Sequence, residues 1–206
     1  MIKIGMMGAH GTGKTSMAEA MVNSPAFSLF SMVPSTARQI KAYGYPINRE
    51  ATELSQILVP LLRIVDEAEA YTDKHNRMYK QGIISDRTPV DSLAYTMYQN
   101  AHVWESGDLV EHVTFRLTQM YMNTYAVLLY FPIYWGNVDD GVRDPDEKYR
   151  RAIDSNIKTV LDLLGVEYLT VPDISPELRV SWLANKMQEF DDESARYWME
   201  VFQNML

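Results

Sequence analysis

Short apolar runs alternate along the chain with longer segments in which apolar residues recur every three or four positions. The runs are rich in β-prone residues, which is typical of strands buried on both faces of a sheet. The predicted strands are Ile2–Met7, Phe30–Val33, Gly82–Ser85, Val127–Phe131 and Tyr168–Val171. Their alternation with helical segments predicts an α/β fold of three layers, α/β/α, built on a five-stranded parallel sheet.

Several helical segments carry recognisable start signals. Thr88-Pro89-Val90-Asp91 combines a capping hydroxyl, a proline at the first helical position and an acidic residue three positions after the cap. The segments Asp144-Pro145-Asp146-Glu147 and Ser175-Pro176-Glu177 repeat this device. Another helix is expected from Leu54 to about Tyr79, and Pro60 inside it should kink or divide it.

The chain has no internal repeat, low-complexity tract or Gly/Ser linker, so residues 1–206 are expected to form a single domain. The longest apolar stretch, Tyr125 to Trp135, is far shorter than the ~20 residues of a membrane-spanning helix. The N-terminus runs straight into a glycine loop, without the basic and apolar regions of a secretion signal. We therefore expect a cytoplasmic protein with no membrane partner.

Charge and cysteine content narrow the classes of function. The chain has no cysteine, which excludes disulfide frameworks, thiol nucleophiles and iron–sulfur clusters and fits a reducing compartment. The formal net charge is −8, so no global positive field attracts the protein to nucleic acid. Hydrophobic residues make up 47% and charged residues 22%, as in an ordinary globular protein.

Residues 8–15, Gly-Ala-His-Gly-Thr-Gly-Lys-Thr, match the phosphate-binding pattern G-x-x-x-x-G-K-[ST] between the first strand and a short helix. Glycines let successive N–H groups point at an anion, and the new helix adds its N-terminal dipole. Lys14 would reach the β- and γ-phosphates, and the Thr15 hydroxyl would bind Mg²⁺. His10 occupies a free position, where a tolerated variable residue is the alternative. The predicted cofactors are ATP and Mg²⁺, bound by Gly8, His10, Gly11, Thr12, Gly13, Lys14, Thr15 and Ser16.

A second candidate site ends the third strand, where Asp86 and Arg87 should emerge at the carboxyl edge of the sheet. Asp86 could hold Mg²⁺ through water or accept a proton from a substrate hydroxyl. Arg87 could fork onto a phosphate or carboxylate of an acceptor substrate. Arg38, which follows the second strand, is a further candidate for binding the acceptor. The alternative for Asp86 and Arg87 is a structural ion pair beside a helix cap.

The segment from about residue 136 to 151 has the composition of a mobile lid, with two glycines and few apolar residues in its loop. Such a loop can fold over a triphosphate and bring guanidinium groups, here those of Arg143 and Arg150, to the γ-phosphoryl group. The predicted catalytic residues are therefore Lys14, Asp86, Arg143 and Arg150. Because acidic residues dilute the basic charge of this segment, a solvated charge run is the alternative.

These motifs follow one order: the phosphate loop, Val-Pro-Ser-Thr-Ala-Arg at 33–38, a helical hairpin over 48–80, Ser-Asp-Arg-Thr-Pro-Val-Asp-Ser-Leu-Ala-Tyr at 85–95, and Asp-Gly-Val-Arg at 140–143. In this order the chain resembles, over roughly residues 1–190, the P-loop kinase-like "AAA domain" family of the NadR and thymidylate-kinase-like type, common in bacteria and phages. That family is similar to small-molecule kinases rather than to ring ATPases. The resemblance implies strand order 2-3-1-4-5 and a capacity to form a homodimer.

Carried onto this sequence, the resemblance implies ATP phosphates at Gly11–Thr15, the acceptor or Mg²⁺ at Asp86, an acceptor phosphate or hydroxyl at Arg87, and lid arginines at Arg143 and Arg150. Many members have an acidic residue just before the Ala-Arg pair, where this chain has Ser35 and Thr36. If that acid is a catalytic base elsewhere, the base here is Asp86 or the acceptor needs none.

We therefore predict an ATP- and Mg²⁺-dependent kinase that acts on a small nucleoside, nucleotide or related hydroxyl acceptor. Three alternatives stay open. They are a phage-type kinase of hydroxymethylated bases in DNA, an NTP-hydrolysing switch or motor, and a regulatory module that binds nucleotide without turnover. The net charge of −8 argues against a duplex-DNA acceptor, and no second acid beside Asp86 suggests itself for positioning a hydrolytic water.

Overall fold

The computed structural model describes residues 2–72, 82–104, 108–136 and 146–203. Its strands are β1 (Ile2–Met7), β2 (Phe30–Val33), β3 (Gly82–Asp86), β4 (Val127–Tyr130) and β5 (Leu169–Thr170). They form one parallel sheet in the order β2-β3-β1-β4-β5. The predicted strands, the parallel sheet and the strand order are thus confirmed.

The helices are α1 (Lys14–Val22), α2 (Thr36–Ala42), α3 (Glu53–Thr72), α4 (Pro89–His102), α5 (Asp108–Met122), α6 (Glu147–Leu164) and α7 (Pro176–Gln203). The start signals of α4 and α7 lie where the sequence predicts them. In α6, however, Asp146 is the N-cap rather than Asp144, because its carboxylate accepts from the backbone N–H groups of Lys148 and Tyr149. Among the described helices, none combines the length and apolar character needed to cross a membrane.

The prediction for the segment before β3 was partly wrong. Pro60 does not divide the helix, since α3 runs unbroken through it. The proline removes one backbone donor and crowds the preceding turn, but the packing of α3 against α2, α4 and α5 compensates for this cost. Over residues 48–72 the structure has one 3₁₀ turn (Asn48–Glu50) and this single helix, and the remainder of the hairpin expected over 48–80 lies outside the described residues.

Side chains of the central strands alternate between two apolar cores. Ile4 and Met6 of β1 pack with α1 and α7 on one face of the sheet. The next residue, Met7, packs with α4 and α6 on the other face. In β4, Leu129 belongs to the first core, whereas Leu128 and Tyr130 belong to the second. This period of two on a sheet covered on both faces gives the three predicted layers.

The strand register brings the functional segments to one edge. Met6 of β1 pairs with Asp86 of β3, and Met7 pairs with Tyr130 of β4. Because all strands run in the same direction, the loops after β1, β2, β3 and β4 meet at the carboxyl edge, where open α/β sheets bind ligands.

Candidate active site

The phosphate loop follows β1 and leads directly into α1. Gly11 and Gly13 have φ angles of 70° and 90°, in the left-handed region that residues with a Cβ rarely adopt. Gly13 is the N-cap of α1 and offers no side chain to the N–H groups of the first turn. The loop therefore presents backbone donors and a helix dipole, a combination that binds phosphate anions.

Lys14 lies buried within this loop, with 4% of its surface exposed. Its Nζ donates to the carbonyl oxygens of Gly8 at 2.8 Å and Ala9 at 2.6 Å, and to Oγ1 of Thr12 at 3.0 Å. The ammonium group is thus already at the centre of the loop, where a bound phosphate would compete with these neutral oxygens for it.

Thr15 and Asp86, the two predicted metal ligands, are in direct contact. Oγ1 of Thr15 donates a hydrogen bond of 2.6 Å to Oδ2 of Asp86, which is 2% exposed. Asp86 reaches this position because it is the last residue of β3, the strand that pairs with β1 beside the loop. A hydrogen bond between two oxygen atoms that could both bind a metal therefore joins the phosphate loop to the end of β3.

Arg87 has a φ angle of 97°, a strained conformation for a residue with a side chain. Its Nη1 donates to Oδ1 of Asp91 at 3.1 Å, and its guanidinium lies 5.5 Å from the centre of the Tyr95 ring. Burial alone would lower the pKa of Arg87, but Tyr95, Asp91 and Asp86 raise it above its usual range. Burial raises the pKa of the Tyr95 hydroxyl, and Arg87 lowers it in part. The strained turn thus holds a permanent positive charge at the edge of the site.

Sequence reasoning assigned Asp91 only a capping role, and the structure adds a second one. Besides completing the cap with Thr88, its Oδ1 accepts from the backbone N–H of Gly8 at 3.2 Å. Asp91 therefore links α4, Arg87 and the phosphate loop. No sequence signal could show this link, because Gly8 and Asp91 are 83 positions apart.

Arg150 is completely buried and contacts the backbone of the phosphate loop. Its Nε donates to the carbonyl of His10 at 2.9 Å, its Nη2 to that of Gly11 at 3.2 Å, and its Nη1 to that of Trp135 at 2.8 Å. The sequence predicts this arginine on a lid, around the transferred group. The structure places it in the first turn of α6, as a clamp on the loop. Arg143, the other predicted lid arginine, lies outside the described residues.

Arg179, which sequence reasoning missed, lies beside Gly13 of the loop. It is 1% exposed, and a Cβ atom on Gly13 would lie 2.9 Å from its Nη1. The guanidinium is 5.2 Å from the centre of the Trp135 ring and donates through Nε to the carbonyl of Pro172 at 3.1 Å. Burial lowers the pKa of this group. In the sequence it is a lone arginine in the first turn of α7, without a motif around it.

The remaining predicted residues surround the loop. Nδ1 of His10 and the hydroxyl of Tyr95 are 3.2 Å apart, so this ring bridges the loop and α4. Ser16 and Arg38 both line the cavity beside the loop, Arg38 from the exposed face of α2. The predicted lid over 136–151 falls partly outside the described residues, and its last part forms the start of α6.

Two cavities adjoin at this edge. The first, of about 690 Å³ and partly open to solvent, is lined by the phosphate loop together with Arg38 and Asp86. The second, of about 460 Å³, lies between α2, α3 and α4 and has a largely apolar lining. Both are lined by Ala37, Ile47, Asn48 and Arg87. The shared lining makes the two cavities neighbours, with Arg87 on the wall of both.

A buried ionic network supports the end of β3. Arg63 of α3 donates through Nη2 to the carbonyl of Asp86 at 3.0 Å and through Nη1 to the Ser85 hydroxyl at 3.1 Å. On the next turn, Glu67 accepts from Ser85 and pairs with Lys3 of β1. These contacts hold the backbone at Ser85 and Asp86 in place. They help to keep the next residue, Arg87, in its strained conformation.

Comparison with known proteins adds a family and a fold. The model of a family described as "AAA domain" matches residues 3–179, a span that includes every part of the site above. Among curated proteins, none matches the chain.

Several solved structures share the fold. NadR in complex with NR has a TM-score of 0.69 and 12% identity, covering 91% of this chain and 50% of the NadR chain. Deoxyadenosine kinase from M. mycoides with bound dATP has a TM-score of 0.63 and 12% identity, covering 91% of this chain and 100% of that one. Thymidylate kinase from Ehrlichia chaffeensis has a TM-score of 0.54 and 15% identity, covering 88% and 97%. At such identities the likeness is one of fold.

Proposed function

This chain belongs to the AAA domain family, and on that premise we propose that it is an ATP-dependent kinase that transfers the γ-phosphoryl group to a small nucleoside or nucleotide acceptor. The observation that carries the proposal is the second cavity. A nucleotide switch or an ATPase needs only the pocket at the phosphate loop. A phosphotransferase needs an adjoining space for an acceptor, and the two cavities meet at Arg87.

The donor triphosphate would bind along the loop. Its β- and γ-phosphates would accept from the backbone N–H groups before α1 and from Lys14, which would turn toward them from the carbonyls of Gly8 and Ala9. Arg150 would act as a positioning residue, since it holds the carbonyls of His10 and Gly11 away from the anion. Catalysis of this kind depends on placing charges in advance.

The oxygen atoms of Thr15 and Asp86 fit a magnesium ion. Both are hard oxygen ligands of the kind that Mg²⁺ prefers, and they lie 2.6 Å apart beside the position proposed for the phosphates. Among the described residues no cluster of three acidic, histidine or cysteine side chains forms a metal cage. Mg²⁺ suits such a place because it commonly takes one or two protein ligands and completes its shell with phosphate and water. When bound, the ion would neutralise charge on the β- and γ-phosphates.

Arg87 and Arg38 would bind the acceptor at the junction of the two cavities, with its remaining part in the second cavity. Asp86 would steer the acceptor and orient Thr15. The roles of Arg143 and of a lid near residues 136–151 stay predictions from the sequence.

The test is transfer of label from γ-labelled ATP with Mg²⁺ to separate panels of nucleosides, nucleoside monophosphates, and single- and double-stranded DNA with hydroxymethylated bases. Lys14→Ala serves as the control in each panel. We expect label in a small-molecule acceptor and its loss in the variant. Label found only in DNA would establish the DNA-kinase alternative instead. Free phosphate released equally with every acceptor would contradict the kinase proposal and favour an ATPase.

A further inference from the structure

We propose that Arg179 is a further cation of the donor site, whose buried guanidinium lies against the phosphate loop and attracts the triphosphate of ATP. The inference rests on the proposed function and adds a binding residue to its donor site. Three observations carry it: the position of the guanidinium, its lack of a paired carboxylate, and the neutral groups that hold it in place.

The guanidinium of Arg179 lies directly against the backbone of the loop. A Cβ atom on Gly13 would lie only 2.9 Å from Nη1 of this arginine, so a larger residue there would push the two groups apart. Glycine therefore serves two purposes at this position, because it adopts the φ of 90° and admits the guanidinium. Since Gly13 is also the N-cap of α1, the cation lies beside the N–H groups that the loop offers to phosphates.

Arg179 differs from the other buried arginines of the site in its lack of an acidic partner. Nη1 of Arg87 lies 3.1 Å from Oδ1 of Asp91. Nη1 of Arg150 lies 3.3 Å from Oε2 of Glu147. In the described part of the chain, no carboxylate forms an ion pair with Arg179, although only 1% of its surface is exposed. Its Nη2 is buried and has no hydrogen-bond partner among the described groups.

Two aromatic rings and one carbonyl hold the guanidinium in place without neutralising it. Its central carbon lies 5.2 Å from the centre of the Trp135 ring and 5.8 Å from that of the Phe131 ring. Its Nε donates to the carbonyl of Pro172 at 3.1 Å. These groups attract a cation through their dipoles and ring electrons, and they leave its full charge in place. Burial lowers the pKa of Arg179, and the charge of Asp173 offsets this only in part.

A buried cation of this kind is costly in the unliganded protein. Removing a charge from water costs free energy, and an opposite charge nearby is what offsets that cost. The triphosphate that the proposed function places in the loop carries such a charge, and its attraction to a guanidinium is strong where little water separates them. Removal of the positive charge should therefore relieve the unliganded protein of a cost and weaken ATP binding at the same time.

The test measures the affinities of variants for ATP and for inorganic tripolyphosphate, by competition with a fluorescent ATP analogue in the presence of Mg²⁺. We expect the neutral variants Arg179→Met and Arg179→Gln to bind both probes about tenfold more weakly than the native protein. Arg179→Lys keeps the charge and should stay within about threefold of the native affinity. Arg116→Met is the matched control, since Arg116 is exposed on α5 and lines neither cavity.

Thermal unfolding distinguishes this role from a structural one. Without ligand, we expect Arg179→Met to unfold at the same temperature as the native protein or above it, because a buried cation has been replaced by an apolar side chain. With ATP and Mg²⁺ at one fixed concentration the order should reverse, because the ligand stabilises the tighter-binding protein more. If the methionine variant does not fold, Arg179→Gln, which keeps a donor for the Pro172 carbonyl, takes its place. A neutral variant that is less stable without ligand, yet gains as much from ATP as the native protein, would show that Arg179 only supports the fold.

The remaining outcomes separate failure of this inference from failure of the proposed function. Native affinity for ATP in both neutral variants overturns the inference while the kinase proposal stands. Tripolyphosphate that competes equally well in native protein and neutral variants, or in neither, assigns Arg179 to the nucleoside part of ATP and also overturns the inference. ATP that binds as expected but is transferred to no acceptor overturns the kinase proposal and leaves the inference standing. Native protein that binds no ATP overturns both.

Discussion

Nε of Arg150 donates a hydrogen bond of 2.9 Å to the carbonyl oxygen of His10, across 140 positions of the chain. The contact is buried and fixes the start of α6 to the phosphate loop. The arginine holds the outer side of a loop whose inner side offers N–H groups. The shape of the phosphate site therefore depends on α6, which is far away in the sequence.

Replacing Arg150 by methionine should destabilise the protein and weaken ATP binding together. The variant leaves three backbone carbonyls without their donor, which we expect to cost about 3 kcal/mol or more in a buried place. The loosened loop should bind ATP about tenfold more weakly. Urea unfolding and titration with a fluorescent ATP analogue measure the two effects.

The neighbouring Arg151 provides the control. It is 71% exposed and pairs only with Glu147, at 3.4 Å, among the described residues. Arg151→Met should change the free energy of unfolding by less than about 0.5 kcal/mol. Equal effects of the two substitutions would contradict the clamp.

Asp86→Asn should leave the protein folded but remove a charge beside the proposed metal and phosphates. An amide oxygen can still accept from Thr15, so the contact is kept in form. We expect kcat to fall about a hundredfold or more and the Mg²⁺ concentration for half-maximal rate to rise. Asp162→Asn, on the exposed face of α6, should change neither. Unchanged rate and unchanged Mg²⁺ dependence would remove Asp86 from the catalytic account.

Gly13→Ala should weaken ATP binding through two separate effects. Its φ of +90° strains any residue with a Cβ, and that Cβ would lie 2.9 Å from Nη1 of the buried Arg179. Gly44→Ala is matched in backbone conformation, with a φ of +87° and open space around the Cβ. Both variants should lose about 1 kcal/mol of stability from the strain, and only Gly13→Ala should lose affinity for ATP in an equilibrium titration. Equal ATP affinities would mean that Arg179 and the loop do not share a fixed geometry.

The sequence predicted the elements that local patterns determine and missed the contacts that packing determines. Buried strands can be predicted because they are short apolar runs in the sequence. The phosphate loop can be predicted because the backbone of residues 8–13 adopts positive φ angles at its glycines, which tolerate them. Pro60 shows the limit of local rules, since packing of α3 kept the helix whole. The sequence could predict that Arg150 lies near the site but not which carbonyl groups it contacts. Hydrogen bonds between residues 140 positions apart leave no pattern in the sequence. Arg179 had no signal at all.

Stability should fall at alkaline pH because of buried tyrosines. The hydroxyl of Tyr125 donates to Glu67 at 2.7 Å, and burial, then this carboxylate, raises its pKa well above the ordinary 10.0. The unfolded chain therefore releases this proton at lower pH than the native protein. The contribution of the protonated Tyr125 to the free energy of unfolding is complete below pH 10.0 and is lost as the pH rises above it. Burial lowers the pKa of Lys3 from 10.5, and that group changes stability only below this pH.

Chemical unfolding between pH 10.5 and about 12 isolates the tyrosine contribution. Each buried tyrosine with a raised pKa should lower the free energy of unfolding by at most about 1.4 kcal/mol per pH unit. Tyr125→Phe should lower stability at neutral pH and flatten the alkaline slope. A slope that does not change in the variant would show that this proton is not retained by the folded protein.

The most direct measurement of the central claim is the fate of the γ-phosphoryl group in a single turnover. Protein in excess over γ-labelled ATP is mixed with Mg²⁺ and a mixture of nucleosides and nucleoside monophosphates, and the products are separated with time. The account predicts that label appears in a phosphorylated nucleoside or nucleotide with the native protein and that Asp86→Asn slows its appearance. Label that appears only as inorganic phosphate, at one rate with and without acceptors, would contradict it.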